Sequence, residues 1–152
     1  GPIGTASLKI DTFSYERENL VLENLIKNSI NQNRYLMTLL YHGTGGMIYY
    51  KPNQDYLSDK TYQYLLQYNQ ELAFYYNQKT QYNLLEESSI TGYGDYLRKT
   101  YQGVLLIELS KMGGNPLGPY GDKSNIERVY EENTNALDSI LINQKRKIKK
   151  KP

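Results

Sequence analysis

The chain predicts an all-α domain, a helix bundle of about four helices with an N-terminal helical arm. Three observations lead there. Apolar residues recur at helical spacing in four separate segments. Corners rich in glycine and proline part those segments. At 152 residues the chain has the length of one domain with a moderate core.

The first helix is expected over residues 15–40, where Leu22, Ile26, Ile30, Met37 and Leu40 approximate one face. Polar residues from Asn28 to Asn33 interrupt that face, so the helix bends or breaks there. "YHGTGGMIYYKPN" ends it with Gly43, Gly45, Gly46 and Pro52, and leaves room for a short extended piece at 47–50. The second helix should run over 58–87. Leu65, Leu72 and Tyr76 share a face there with Tyr62 and Asn69. Tyr68, Tyr75 and Tyr82 recur every seven residues on a neighbouring face. A tyrosine stripe of this kind packs its rings in a core or a subunit interface, and these three are assigned to an interface.

"SITGYG" is a corner, and a third helix follows over 93–112 from Leu97, Tyr101, Leu105, Leu109 and Met112. Gly103 lies inside it at a cost on the order of 1 kcal/mol against alanine, so something should pack closely on its backbone. "GGNPLGP" stops that helix. The fourth helix opens on a capping box, Ser124 to Glu127, and continues through Ile126, Val129, Asn133, Leu137 and Ile140. The division is then an N-terminal extension (1–14), a helical domain (15–143, with the arm at 15–52 and the bundle at 53–143) and a basic tail (144–152).

Charge is unevenly spread. The whole chain carries 18 Lys and Arg against 16 Asp and Glu. "KRKIKKKP" at the end holds six of those cations and no anion, so the body without it is net acidic by four. Tyrosine is abundant, at 17 residues, and with the many Asn and Gln it can hydrogen-bond phosphates and sugars without adding charge. An AT-rich genome gives the same bias. No apolar run is long enough to span a bilayer as a helix. "GPIGTAS" carries no initiator methionine and no signal-peptide apolar core, as a processed, cropped or tag-derived end would.

The chemistry for catalysis is sparse. With no cysteine there is no disulfide, thiol nucleophile or Cys-ligated metal. His42 stands alone, without the partners that a zinc site or a catalytic triad needs. "HGTGG" lacks the Lys-Ser/Thr ending of a phosphate loop. Glu86 and Glu87 are sequence neighbours that do not face each other on a helix. No cofactor, no metal and no enzymatic activity are expected, which leaves a structural or binding protein.

"ITG" at 90–92, Arg98, "YQG" at 101–103, an amphipathic run and "GGNPL" at 113–117 resemble the core of the major coat proteins of rod-shaped and filamentous archaeal DNA viruses, the rudiviruses and lipothrixviruses. The clear resemblance covers about 30 residues. The gap from ITG to YQG is longer than the rudivirus pattern, and the helix after it shorter, which suits a distant filamentous member. The resemblance implies a helix-bundle dimer whose N-terminal arms wrap linear double-stranded DNA, held in the A form, into a helical nucleocapsid. It implies partnership with itself or with a paralogous second coat protein, many copies in a filament, a lipid envelope in some relatives, and location in the virion and in host cytoplasm during assembly.

A coat must bind every sequence alike, so it should grip phosphates and leave base edges alone. In the first arm Arg17, Lys27, Asn31 and Arg34 are the candidates, centred on the anion-free "KNSINQNR". Arg98 and Lys99 are the second pair, with a salt bridge to Asp95 or Glu86 as the plainer reading. Lys145, Arg146 and Lys147 open the tail, which suits DNA, anionic lipid or a solvated end. The rival classes are a surface adhesin or sensor domain from an AT-rich bacterium and a nucleoid-type DNA-binding protein.

Overall fold

The computed structural model describes residues 17–43, 45–55, 57–86, 93–109 and 123–150, the side chains at 18, 123–125 and 146–150 excepted. The N-terminal extension, "ITG" and "GGNPL" lie outside the described residues. In chain order the elements are α1 (Arg17–Asn31), β1 (Thr38–Gly43), β2 (Met47–Tyr49), α2 (Asp59–Thr80), β3 (Asn83–Leu85), α3 (Tyr93–Thr100), β4 (Val104–Leu109) and α4 (Lys123–Lys150). The all-α expectation is therefore corrected: among the described residues four helices flank a four-stranded mixed sheet in the order β1-β4-β2-β3. β4 runs parallel to β1 and antiparallel to β2, and β2 runs parallel to β3.

The expected third helix fails at one residue. Gly103 has φ +73°, a left-handed value that ends α3 and turns the chain into β4. A Cβ there would lie 2.9 Å from the Leu36 carbonyl oxygen and 2.9 Å from the Tyr68 ring. The close approach expected at this glycine exists, but at a corner between helix and strand. Beyond it, "VLLIEL" opens with a continuous apolar run of four residues, all of them buried. A strand covered on both faces has that pattern, whereas a helix exposed on one side does not.

The first helix also stops early. Asn33 takes φ +56°, its N–H donates to the Ile30 carbonyl (3.0 Å), and the Arg34 N–H donates to that of Ser29 (2.8 Å). This is a Schellman ending with asparagine in the left-handed position. Residues 38–49, expected in a wrapping arm, instead supply two strands of the sheet. The extended piece expected near 47–50 is β2. α2 starts on Ser58, whose hydroxyl accepts from the Thr61 N–H, and ends at Gln81 with φ +59°.

Alternate β4 side chains point to opposite faces and so enter two cores. Leu105 and Ile107 pack with Ile48, Leu72, Tyr76 and Ile140 beneath α2 and α4. Val104 packs with Ile26, Tyr93, Leu97 and Tyr101 beneath α1 and α3. The result is three layers. Because β4 lies between β1 and β2, the link between those two strands must cross roughly 10 Å over the end of β4. Gly45 and Gly46 make that crossing with φ +147° and +62°, and a Cβ on Gly45 would strike the Glu108 carboxylate.

Candidate functional site

The cations singled out by sequence fall on opposite sides of the sheet. α1 carries Arg17, Val21, Asn24, Asn28 and Asn31 along its outward stripe, all exposed. Arg34 is exposed just past the helix end. Lys27 is half in solvent, 3.7 Å from the Glu23 carboxylate one turn back. This surface offers two exposed arginines and a lysine already facing an anion, interleaved with the apolar Val21 and Leu25.

α4 packs on the other face through Val129, Asn133, Ala136 and Ile140. It does not stop where its buried stripe stops. The helix runs on to Lys150, ten residues past Ile140, so most of the basic run continues the helix. Lys145 is exposed, and the side chains of Arg146 and Lys147 lie outside the described residues.

Arg98 and Lys99 do not present to a partner. Arg98 is wholly buried, and among the described residues none of its three guanidinium nitrogens has a hydrogen-bond partner. Burial pulls its pKa down to about 10, against the opposing pull of Asp95. A duplex has no access to it, which corrects the assignment of Arg98 to DNA. Lys99 pairs with Asp95 Oδ2 at 3.1 Å.

The heptad tyrosines assigned to an interface pack inward within the chain, Tyr68 and Tyr75 partly and Tyr82 wholly. Tyr68 donates its hydroxyl to the Leu36 carbonyl (2.8 Å). Tyr75 is half-buried against the α2/α4 core. Tyr82 is wholly buried beyond the end of α2, donating to Glu132 Oε2 (3.2 Å) and accepting from Asn133 Nδ2 (3.1 Å).

Three buried polar groups and the half-buried Glu108 were missed as functional positions. Asn69 on α2 accepts from the Gly103 N–H (2.7 Å) and donates to the Tyr50 carbonyl (3.1 Å), so one amide fixes both β2 and the start of β4. Asn133 on α4 accepts from the Tyr76 hydroxyl, which also meets that of Tyr41 at 2.9 Å. Glu23 on α1 accepts from Tyr96 and Tyr101, each at 2.7 Å. The signal for Asn69 and Asn133 was present: each interrupts an apolar helical stripe with an amide. Glu108 faces His42 in register across β4 and β1; burial raises its carboxyl pKa while the His42 charge opposes the rise.

An open groove of about 290 Å³ lies between α4 and the sheet edge, walled by Tyr41, Leu109, Val129, Tyr130 and Leu137. Among the described residues, no group of three or more His, Asp or Glu could hold a metal ion, and no helix is long and apolar enough to cross a membrane. No protein-family model, curated protein or solved structure matches the chain.

Proposed function

We propose that this is a non-enzymatic structural protein that coats double-stranded DNA in many copies, gripping phosphates without reading sequence, with the basic end of α4 as its main contact. The observation that carries this reading is the run from Lys145 onward, six cations without an anion, most of it on a helix that outruns its own packing. Positive charge at a helix C-terminus also suits the helix dipole. Phosphate contact needs charge density and reach, and it needs no pocket. The viral coat setting rests on the sequence resemblance alone. The wrapping arm that came with it is left out, because α1 is packed on the sheet through Ile26.

Binding should fall steeply with salt and be indifferent to sequence. Deleting residues 145–152 should remove most of the affinity and flatten the slope of log affinity against log salt by up to about five units, at roughly 0.9 per phosphate on B-form DNA. Charge removal at Arg17 and Arg34 should flatten it by about one unit each at most. Full affinity after the tail deletion would refute the assignment.

A second reading, a membrane-proximal surface domain, is favoured by Leu141 and Ile142, which are 41% and 50% exposed beside the cations. A basic amphipathic helix end of that kind also suits an anionic bilayer surface. Tail-dependent binding to phosphatidylserine vesicles, with none to DNA, would select it.

A further inference from the structure

The two edges of the sheet are treated differently. β3, at one edge, has only three residues and leads into Glu86. Short, charge-flanked edges resist pairing with another chain. β1, at the other edge, has six residues, "TLLYHG", with no Lys, Arg, Asp, Glu or Pro. The Thr38 N–H donates to the Gly103 carbonyl at 2.8 Å. In a parallel ladder that phase turns the backbone groups of Thr38, Leu40 and His42 toward β4. Those of Leu39, Tyr41 and Gly43 then face outward, and no hydrogen bond among the described residues reaches them. The apolar groove opens beside this same edge, with Tyr41 45% and Tyr130 73% exposed on its walls.

We propose that β1 is the seam of a twofold dimer, in which two copies join their sheets edge to edge in antiparallel register centred on Tyr41. The outward phase fixes that register. Leu39 pairs with Gly43 of the second copy, and Tyr41 meets its own counterpart. The twofold axis then stands perpendicular to the sheet, so both α4 helices lie on the same face across the seam. Each Tyr41 and Tyr130 moves toward the other copy's groove, and one occupant accounts for the bare edge and the empty groove together. Charge allows it: neither the strand nor the groove lining carries a charged group other than His42, so no like charges oppose each other across the axis. Size requires the groove. A stable dimer buries about 800 Å² on each partner, more than one six-residue strand edge supplies, so the exposed rings of Tyr41 and Tyr130 on the groove walls belong to the seam as well. This seam lies on a different surface from Tyr68, Tyr75 and Tyr82, and it does not depend on the DNA reading.

The test uses the full chain without nucleic acid. Sedimentation equilibrium from about 1 to 100 μM, the span over which such an interface dissociates, should show a monomer–dimer equilibrium. Hydrogen exchange over the same dilution series should show the Leu39, Tyr41 and Gly43 amides slow in the dimer and fast in the monomer. The Leu40 amide, bonded to β4, should be slow in both. Tyr130→Glu changes a mostly exposed ring, so it should leave the fold intact while weakening dimerisation at least about tenfold. A monomer throughout the range overturns the proposal. So does a dimer in which the three outer amides exchange fast, or one that Tyr130→Glu leaves unweakened.

Discussion

Both faces of the sheet bury tyrosine hydroxyls, and they satisfy them by different means. Beneath α2 and α4, Tyr41, Tyr76 and Tyr82 are joined through the amide of Asn133, a neutral group that both donates and accepts, and only Tyr82 at the rim also reaches a carboxylate, that of Glu132. Beneath α1 and α3, Tyr96 and Tyr101 converge on one oxygen of Glu23, and Arg98 is buried with no hydrogen-bond partner among the described residues. A network centred on an amide holds its geometry at any ordinary pH. One centred on a carboxylate depends on that carboxylate staying charged. The first face should therefore set the stability of the molecule, and the second its response to conditions.

The largest effect should come from the apolar part of the first face. Leu72→Ala empties a fully buried site and should cost about 3 kcal/mol in urea unfolding. A loss under about 1 kcal/mol would mean that α2 is not the main cover of the sheet. Tyr76→Phe keeps the ring but leaves Asn133 and Tyr41 short of a partner, for roughly 2 kcal/mol. On the second face the sign should reverse at Arg98. Replacing a buried guanidinium that makes no hydrogen bond among the described residues with an apolar chain of similar length, Arg98→Met, should be neutral or stabilising by about 1–2 kcal/mol. A destabilisation beyond about 2 kcal/mol would show that the guanidinium has a strong partner.

Glu23→Gln should give the smallest change, on the order of 1 kcal/mol at neutral pH, and one that depends on acidity. Burial works to raise the Glu23 carboxyl, but hydrogen bonds from Tyr96 and Tyr101, with Lys27 beside it, hold it below the usual value of 4.5. A lowered folded pKa stabilises above the unfolded value and is lost as pH falls through the folded one. The gap between wild type and Glu23→Gln should thus be constant above about pH 5 and close below 4.5. In alkali the two faces should behave alike. Tyr96 beneath α1 and α3 is pushed up to about 12 by burial, and burial raises Tyr76 beneath α2 and α4 as well. A raised folded pKa stabilises fully below the usual value of 10 and is lost as pH climbs from there. Exposed rings such as Tyr130 and Tyr64 ionise without unfolding, but the tyrosinate absorbance of the buried rings should rise only together with unfolding, and complete ionisation before unfolding would mean open rings.

Much of the helical plan was legible. The second helix starts where it was expected, at 58, though it gives way to β3 before 87, and the polar interruption at 28–33 marked the real end of the first. The sheet was hidden by arithmetic. Leu97, Tyr101, Leu105 and Leu109 are four residues apart, a helical step, but four is also an even number, so Leu105 and Leu109 share a face of a strand as well. What separates the two readings is Leu106 and Ile107 between them, which a helix of that phase would leave partly exposed and which are buried here. Arg98 and Lys99 read as a surface pair because cations usually are. Only the packing of Leu97 and Tyr93 around α3 puts Arg98 inside.

The length of α4 has an electrical consequence. It holds five of the six terminal cations at the far end of a helix about 42 Å long, in a chain that without those six is net negative by four. The molecule is thus a permanent dipole, and the peptide groups of that helix, whose own dipole points the opposite way, only partly cancel it. In the field of any polyanion it would turn before it touched, arriving with the end of α4 foremost and the acidic body held outward. Orientation on approach would then be set at a distance, over about 10 Å at 0.1 M salt, and would fade as salt shortens that range.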